Sequence, residues 1–367
     1  MLQQIPKAKG AFIVFTFLII NILLSSCLRE IAQEANENRS DSNSQNSTKL
    51  SNDKKNEAYN VKTPPNLKSS PKLEQIIDSL LLLSTQNNLP KEDISITIID
   101  MNQNSFAYYQ GDVSRYPASI PKLFWLVIAY SYVDNTLINL EPDLSSSMSK
   151  MITKSDNEDA SKVIDKITGT ESGRMLPEEK FKEWLKKRSQ LNSFFKRANY
   201  SNINISQKTY PIPYLEEYGD SPKGRELKMR YLGERDENNP IRNKLTTNNS
   251  ARLMYEIVNK KAISSQYSQK IKNNLERNLN PEYWRDIDPN FEFNPVLAFF
   301  GESLSPDVRL LSKAGWTPNT RQEVAYIETP DQEVKYILAI FTENEAYAQN
   351  WEIFPKFSEL VFNAMTK

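Results

Sequence analysis

Tyr116-Pro117-Ala118-Ser119-Ile120-Pro121-Lys122 runs straight into Leu123-Phe124-Trp125-Leu126-Val127-Ile128-Ala129. The second half is apolar at every position, which reads as a helix buried on all sides. Pro121 suits the first turn of such a helix, where its missing N–H is not needed. Ser119 then stands at the helix entrance. Lys122 follows about one turn later on the same face. A lysine held there out of water can lose its charge and take the serine proton. Free amides at the helix N-terminus also favour negative charge developing at the serine. Taken alone, the spacing equally fits a helix cap followed by a lysine whose stem lies along apolar surface. The pattern Ser-x-x-Lys recurs at Ser51, Ser69, Ser147 and Ser193, but only at Ser119 does it lead directly into a buried helix.

The residues that are missing narrow the chemistry. No histidine occurs in the chain, which excludes Ser-His-Asp and Cys-His triads and histidine-ligated metals. The only cysteine is Cys27, so disulfides within the chain and cysteine ligand clusters are excluded, and neither a metal nor an organic cofactor is implied. Acid–base work falls to Lys, Glu, Asp, Tyr or Ser. The 46 basic residues balance 46 acidic ones, which gives no reason to expect a nucleic-acid partner. With only 9 glycines, a Gly-rich phosphate-binding fold is disfavoured.

At the amino terminus, Lys7 and Lys9 precede an apolar run from Ala11 to Ile20, continued by Ile22, Leu23 and Leu24, and then come Ser25, Ser26 and Cys27. A basic start, a short apolar stretch and small residues form a secretory signal. The alternative, an uncleaved membrane-spanning helix, needs about twenty predominantly apolar residues. Leu24-Ser25-Ser26-Cys27 resembles a bacterial lipobox, which implies a lipid-anchored exported protein over residues 1–27, with Cys27 lipidated. Leu28 is not a retention signal, so the expectation in a Gram-negative host is the outer membrane, facing the periplasm. From about Glu34 to Lys68 the chain is Asn, Ser, Lys, Glu and Asp with almost nothing apolar, too little to offset ordering entropy. Residues 28–70 are therefore expected to be a disordered tether, and residues 71–367 the domain.

Within that domain, Leu73, Ile76, Ile77, Leu80, Leu81 and Leu83 recur at helical spacing after Pro71. Ile94 to Asp100 and Phe106 to Tyr109 read as a hairpin, and Glu323 to Glu328 with Val334 to Phe341 as another. Between them the pattern is mostly helical, over Leu123–Tyr130, Ala160–Ile167, Glu178–Leu185 and Ser250–Val258, and Trp351 to Met365 closes as a helix. The expected fold is an α/β sandwich, its antiparallel sheet built from both chain ends, with the helical middle as a second lobe.

Two further motifs follow Ser119-Ile120-Pro121-Lys122. Ser155-Asp156-Asn157 precedes an apolar helical pattern, and Lys313-Ala314-Gly315-Trp316 stands before the closing hairpin. Read alone, Ser155-Asp156-Asn157 is a helix cap. Ser-x-x-Lys, Ser-Asp-Asn and Lys-x-Gly in this order resemble the class A β-lactamase and penicillin-binding-protein superfamily of serine hydrolases. The resemblance covers roughly Pro71 to the end. It implies Ser119 as nucleophile, Lys122 as its proton partner, Ser155 as proton relay to the leaving nitrogen, and Asn157 holding the substrate amide. Lys313 would supply positive charge near Ser155 and a substrate carboxylate, and the backbone amides of Ser119 and Trp316 would form the oxyanion hole. Gly315 would be small because substrate lies close against its strand.

The chain departs from that pattern twice. Ala314 stands where the family usually has a hydroxyl, which argues against an efficient β-lactamase, with Ser312 and Thr317 as possible compensators. The family's deacylating glutamate has no match at its expected place. Glu276-Arg277-Asn278-Leu279-Asn280 comes too late and reads as a solvated helix face, while the long insert from Ala198 to Arg242 offers Glu216 and Glu217. The reading is a monomeric cell-envelope serine hydrolase that acts on an amide or ester through an acyl-enzyme. A β-lactam or a peptidoglycan-related compound is the small-molecule or peptide substrate expected. The competing reading is a non-catalytic envelope binding or scaffold protein that retains the fold.

Overall fold

The computed structural model describes residues 58–232, 240–288 and 292–367. The first regular elements are a short strand β1 (Lys68–Ser69) and helix α1 (Pro71–Gln86). Ser70 caps α1 by accepting from Leu73 N, and Pro71 fills its first turn. Strands β2 (Ile94–Asp100) and β3 (Ser105–Tyr109) form the first hairpin. Asp100 closes its turn by accepting from Asn102 N and Gln103 N, both at 2.9 Å. The helical lobe comprises α2 (Pro121–Asp134), α3 (Pro142–Thr153), α4 (Asn157–Thr168), α5 (Glu178–Lys196), α6 (Gly224–Arg230), α7 (Thr247–Val258) and α8 (Ser265–Leu275). The chain then returns through β4 (Glu276–Arg277), β5 (Arg309–Thr317), β6 (Thr320–Glu328), β7 (Lys335–Thr342), α9 (Glu345–Gln349) and α10 (Ile353–Met365).

One mixed sheet results, in the order β1-β3-β2-β7-β6-β5-β4. Its two halves join where β2 pairs antiparallel with β7, so the sheet is assembled from both chain ends as expected. One correction applies: β1 runs parallel to β3, so the sheet is not wholly antiparallel. On one face α1 packs with α10. On the other, α7 lies across β2, β6 and β7, and α2 is wrapped by α3, α4, α5 and α8. Leu123 to Ala129 are all fully buried, so the all-apolar run is the core of the helical lobe.

Two expectations about boundaries are corrected. The domain begins before residue 71. Tyr59 is fully buried, its ring 5.2 Å from Phe195 and 5.8 Å from Tyr200, and its amide donates to Phe194 O at 3.0 Å. Arg252 donates to Val61 O at 2.9 Å and Asn199 to Lys62 O at 3.0 Å, so at least residues 59–62 are docked. A single aromatic in a polar stretch supplies the burial that average composition conceals. Tyr59→Ala is expected to cost about 3–5 kcal/mol, measured as a lower urea midpoint at unchanged slope. A change below about 1 kcal/mol would mean the segment is not part of the cooperative unit.

Glu276 and Arg277 are an edge strand paired with Leu311 and Leu310, not a helix face. Glu276 is tied to Arg309 by two 2.9 Å contacts, and Arg277 turns inward to donate to Ser312 O at 2.7 Å. The signal segment, Cys27 and the tether up to residue 57 lie outside the described residues. Among those described, no helix is long and apolar enough to cross a membrane.

Candidate active site

Ser119 lies in a tight turn immediately before α2, in which Ile120 N donates to Pro117 O and Leu123 N to Ile120 O, both at 3.0 Å. Ala118, just ahead of it, has φ +45°, a left-handed conformation that costs a non-glycine residue energy and that surrounding packing must enforce. That packing includes Arg115, buried, which donates to Ser95 Oγ at 2.7 Å and to Ile94 O at 3.1 Å. Gln322 adds a bond to Tyr116 O at 2.7 Å. The Ser119 turn is thus tied to the first and second halves of the sheet. Neither Arg115 nor Gln322 belongs to any motif that the sequence displays.

Lys122 is fully buried one turn into the cluster, and its Nζ stands 3.0 Å from Ser119 Oγ. It also contacts Ser155 O at 2.5 Å, Asn157 Oδ1 at 2.7 Å and Ser155 Oγ at 3.3 Å. Burial lowers its pKa to about 7, against a smaller opposing pull from Asp156. As a neutral amine, Lys122 has two hydrogens and one lone pair. The two hydrogens suit Ser155 O and Asn157 Oδ1, leaving the lone pair to accept the Ser119 hydroxyl proton.

Ser155 and Asn157 come from the turn into α4. Asp156, not Ser155, is its cap, accepting from Asp159 N at 2.8 Å, which frees its two neighbours to face Lys122. Ser155 itself has φ +54°. Its hydroxyl takes a second contact from Lys313 Nζ at 2.9 Å, and Lys313 also reaches Ala314 O at 2.6 Å. Ser119, Lys122, Ser155 and Lys313 therefore form one continuous polar chain. The pKa of Lys313 is pushed well down, first by complete burial, then by the charges of Lys122 and Arg277, while Glu323 opposes the shift. A substrate carboxylate beside Lys313 would reverse it. Glu323 is fully buried on β6 opposite Ala314, accepts from Phe300 N at 2.8 Å, and is raised to about 7, chiefly by burial.

Strand β5 brings the third motif against the serine. Among the described residues, its outer edge has no strand partner beyond Leu311, because β4 pairs only with Leu310 and Leu311. A Cβ on Gly315 would lie 2.6 Å from Ser119 N and 3.0 Å from the Ala118 Cβ, so only glycine fits this approach. Trp316, next along, binds Ala348 O through its indole N–H at 2.9 Å. Ala314 is fully buried in the core cluster that holds Phe299 and Phe300. Of the two hydroxyls that could compensate, Ser312 is fully buried, and Thr317 lies 3.0 Å from the Thr320 hydroxyl.

The structure brings together Ser119, Lys122, Ser155, Asn157, Lys313 and Gly315. Glu216 and Glu217 are exposed in a turn spanning Pro213–Tyr218, and among the described residues neither bonds to this group. Glu158, beside Asn157 on α4, fastens that turn by accepting from Tyr214 N at 2.6 Å. The insert is anchored from within by buried Arg188 on Glu226 at 2.9 Å and Lys208 on Asp165 at 2.7 Å.

A serine beside a buried lysine whose pKa is lowered to about 7, at the entrance of a core helix and under a mixed sheet, defines a serine hydrolase of the β-lactamase type. Residues 138–365 match the sequence model of the Beta-lactamase enzyme family, well over half of the chain, and the chain belongs to that family. Solved structures share the fold at low identity. PBP-A aligns at 15% identity with a TM-score of 0.54, over 83% of this chain and 99% of its own. A variant of PBP-A is solved as its acyl-enzyme with penicillin G. A class A β-lactamase from Bacteroides cellulosilyticus DSM 14838 aligns at 16% identity with a TM-score of 0.55, over 80% of this chain and 98% of its own. A β-lactamase from Sphaerobacter thermophilus DSM 20745 gives 15%, 0.53, 80% and 97%. A search among curated protein sequences returns no match.

Proposed function

We propose that this chain is a lipid-anchored cell-envelope hydrolase that opens an amide or ester through an acyl-enzyme on Ser119. β-Lactams and peptidoglycan-related peptides are its substrate class. The observation that carries this reading is Lys122 Nζ 3.0 Å from Ser119 Oγ with its charge suppressed by burial. Lys122 takes the hydroxyl proton as Ser119 Oγ bonds to the carbonyl carbon. The oxyanion is held by the backbone amides of Ser119 and Trp316. The proton then passes through Ser155 to the leaving nitrogen or oxygen as that bond breaks, and Lys313 receives a carboxylate on the departing half. Water later releases the acyl group. With Glu216 and Glu217 exposed and, among the described residues, bonded neither to Ser119 nor to Lys122, that last step is slow.

Labelling of the full chain with a fluorescent penicillin beside Ser119→Ala tests this. A stable adduct in the native chain and none in the variant is expected. An adduct that persists in Ser119→Ala would overturn the site assignment, and rapid turnover of the label would overturn the slow release. Acylation should also rise with pH and be half-maximal near 7, because only neutral Lys122 can accept the proton and its pKa is about 7. A profile still climbing at pH 10 would point instead to a lysine with the ordinary pKa.

A further inference from the structure

Beside the cleft, at the far end of β5, is a cavity of about 150 Å³ whose lining includes Phe293, Leu297, Phe299, Trp316, Arg321 and Trp351. We infer that this cavity is a specificity subsite for an aromatic group on the leaving half of the substrate, an assignment that rests on the acyl-transfer reading above.

Size and lining agree with such an occupant, since an apolar cavity of roughly 150 Å³ holds a benzene ring. One wall of the cavity approaches the cleft at Lys313. The Phe293 ring lies 5.6 Å from Lys313 Nζ, and the neighbouring Glu292 is paired with Lys154, beside Ser155, at 3.1 Å. This wall therefore flanks the groups assigned to the leaving half of the substrate. Trp316, whose backbone amide is assigned to the oxyanion, also lines the cavity. On this assignment, a ring on the half that departs toward Lys313 reaches the cavity past Phe293.

The cavity is built in advance of any ligand. Asn294 is buried and accepts from Val296 N and Leu297 N, both at 3.0 Å, while donating to Trp284 O at 2.6 Å. Arg321 is buried and fastens two walls together, donating to Ala298 O and Ala348 O at 2.8 Å each. Its guanidinium lies 5.2 Å from the Phe299 ring and 5.5 Å from the Trp351 ring. At the mouth, Trp316 is 38% and Trp351 41% exposed, an unusual display for two indoles unless something covers them.

Two measurements test the assignment on the full chain. In the first, 4-fluorobenzyl alcohol is titrated into Ser119→Ala and followed by fluorine NMR. Saturable binding is expected, weakened about tenfold or more when Leu297→Trp fills the cavity. In the second, two depsipeptides with the same acyl part and phenyllactate or lactate as leaving group are compared as acyl donors. Phenyllactate should acylate Ser119 about tenfold faster, and both Leu297→Trp and Phe293→Ala should erase the difference. Binding that is absent, or unchanged in Leu297→Trp, overturns the subsite. Acylation without leaving-group preference and without probe binding removes the subsite and leaves the hydrolase reading standing. Probe binding with no acylation by either depsipeptide supports the cavity and overturns the acyl-transfer reading.

Discussion

Lys122→Met is expected to slow acylation of Ser119 by about 10²–10⁴-fold, the range for loss of a positioned general base. Methionine retains the length and the apolar stem, so the effect reports the amine. The physical reason is that burial brings the pKa of Lys122 to about 7, so a neutral amine is accessible near neutral pH, and its lone pair is left for Ser119 once Ser155 O and Asn157 Oδ1 have taken its hydrogens. Intact-protein mass spectrometry of the adduct, sampled over time with a penicillin, gives the rate. The pH limb near 7 should vanish in the same variant. A loss of less than about tenfold would mean that another group takes the proton, and Lys313, joined through Ser155 at 2.9 Å, would be the one to examine.

Gly315→Ala should be nearly as damaging, although it adds only a methyl group. That methyl would sit 2.6 Å from Ser119 N, with Ala118 Cβ at 3.0 Å and Pro117 O at 3.4 Å. Backbone atoms cannot swing aside as a side-chain tip can. Either β5 moves away from the nucleophile turn or the Ser119 amide is covered, and each outcome spoils the oxyanion site. Removal of one oxyanion donor typically costs about 10²–10³-fold in rate. Acylation should fall by that amount while cooperative thermal unfolding is retained, because the clash is confined to the cleft. An acylation rate within tenfold of the native chain would show that the Ser119 amide does not receive the oxyanion.

Much of this was legible in the sequence because the signals are local. An all-apolar helix announces its own burial, hairpin strands alternate or branch around polar turns, and Ser119 and Lys122 need only one helical turn to meet. The order of the three motifs carried the family. What stayed hidden depends on residues distant in the chain. Lys313 meets Ser155 across 158 positions, and Arg115 and Gln322, which hold the Ser119 turn, have no pattern at all. Arg277 and Glu323 look like ordinary charged residues until folding buries both around β5.

Tyr59 shows the same limit from the other side. A segment that composition assigns to a tether contributes a buried ring, because stability is decided by contacts and not by averages. The helix face expected at Glu276 became an edge strand because β5 offered a free edge to pair with, which outweighs local helical pattern. The fate of Ala314 also belonged to the tertiary structure, since strand alternation and the core around Phe299 and Phe300 settled where it points. The sequence by itself thus determined the fold class, the serine–lysine pair and the order of the motifs, all short-range or binary in nature. Only the tertiary structure decided the burial that lowers the pKa of Lys122, the contact that requires glycine at 315, and the aromatic cavity at the end of β5. Each of these is a product of chain segments that approach one another only when the core closes.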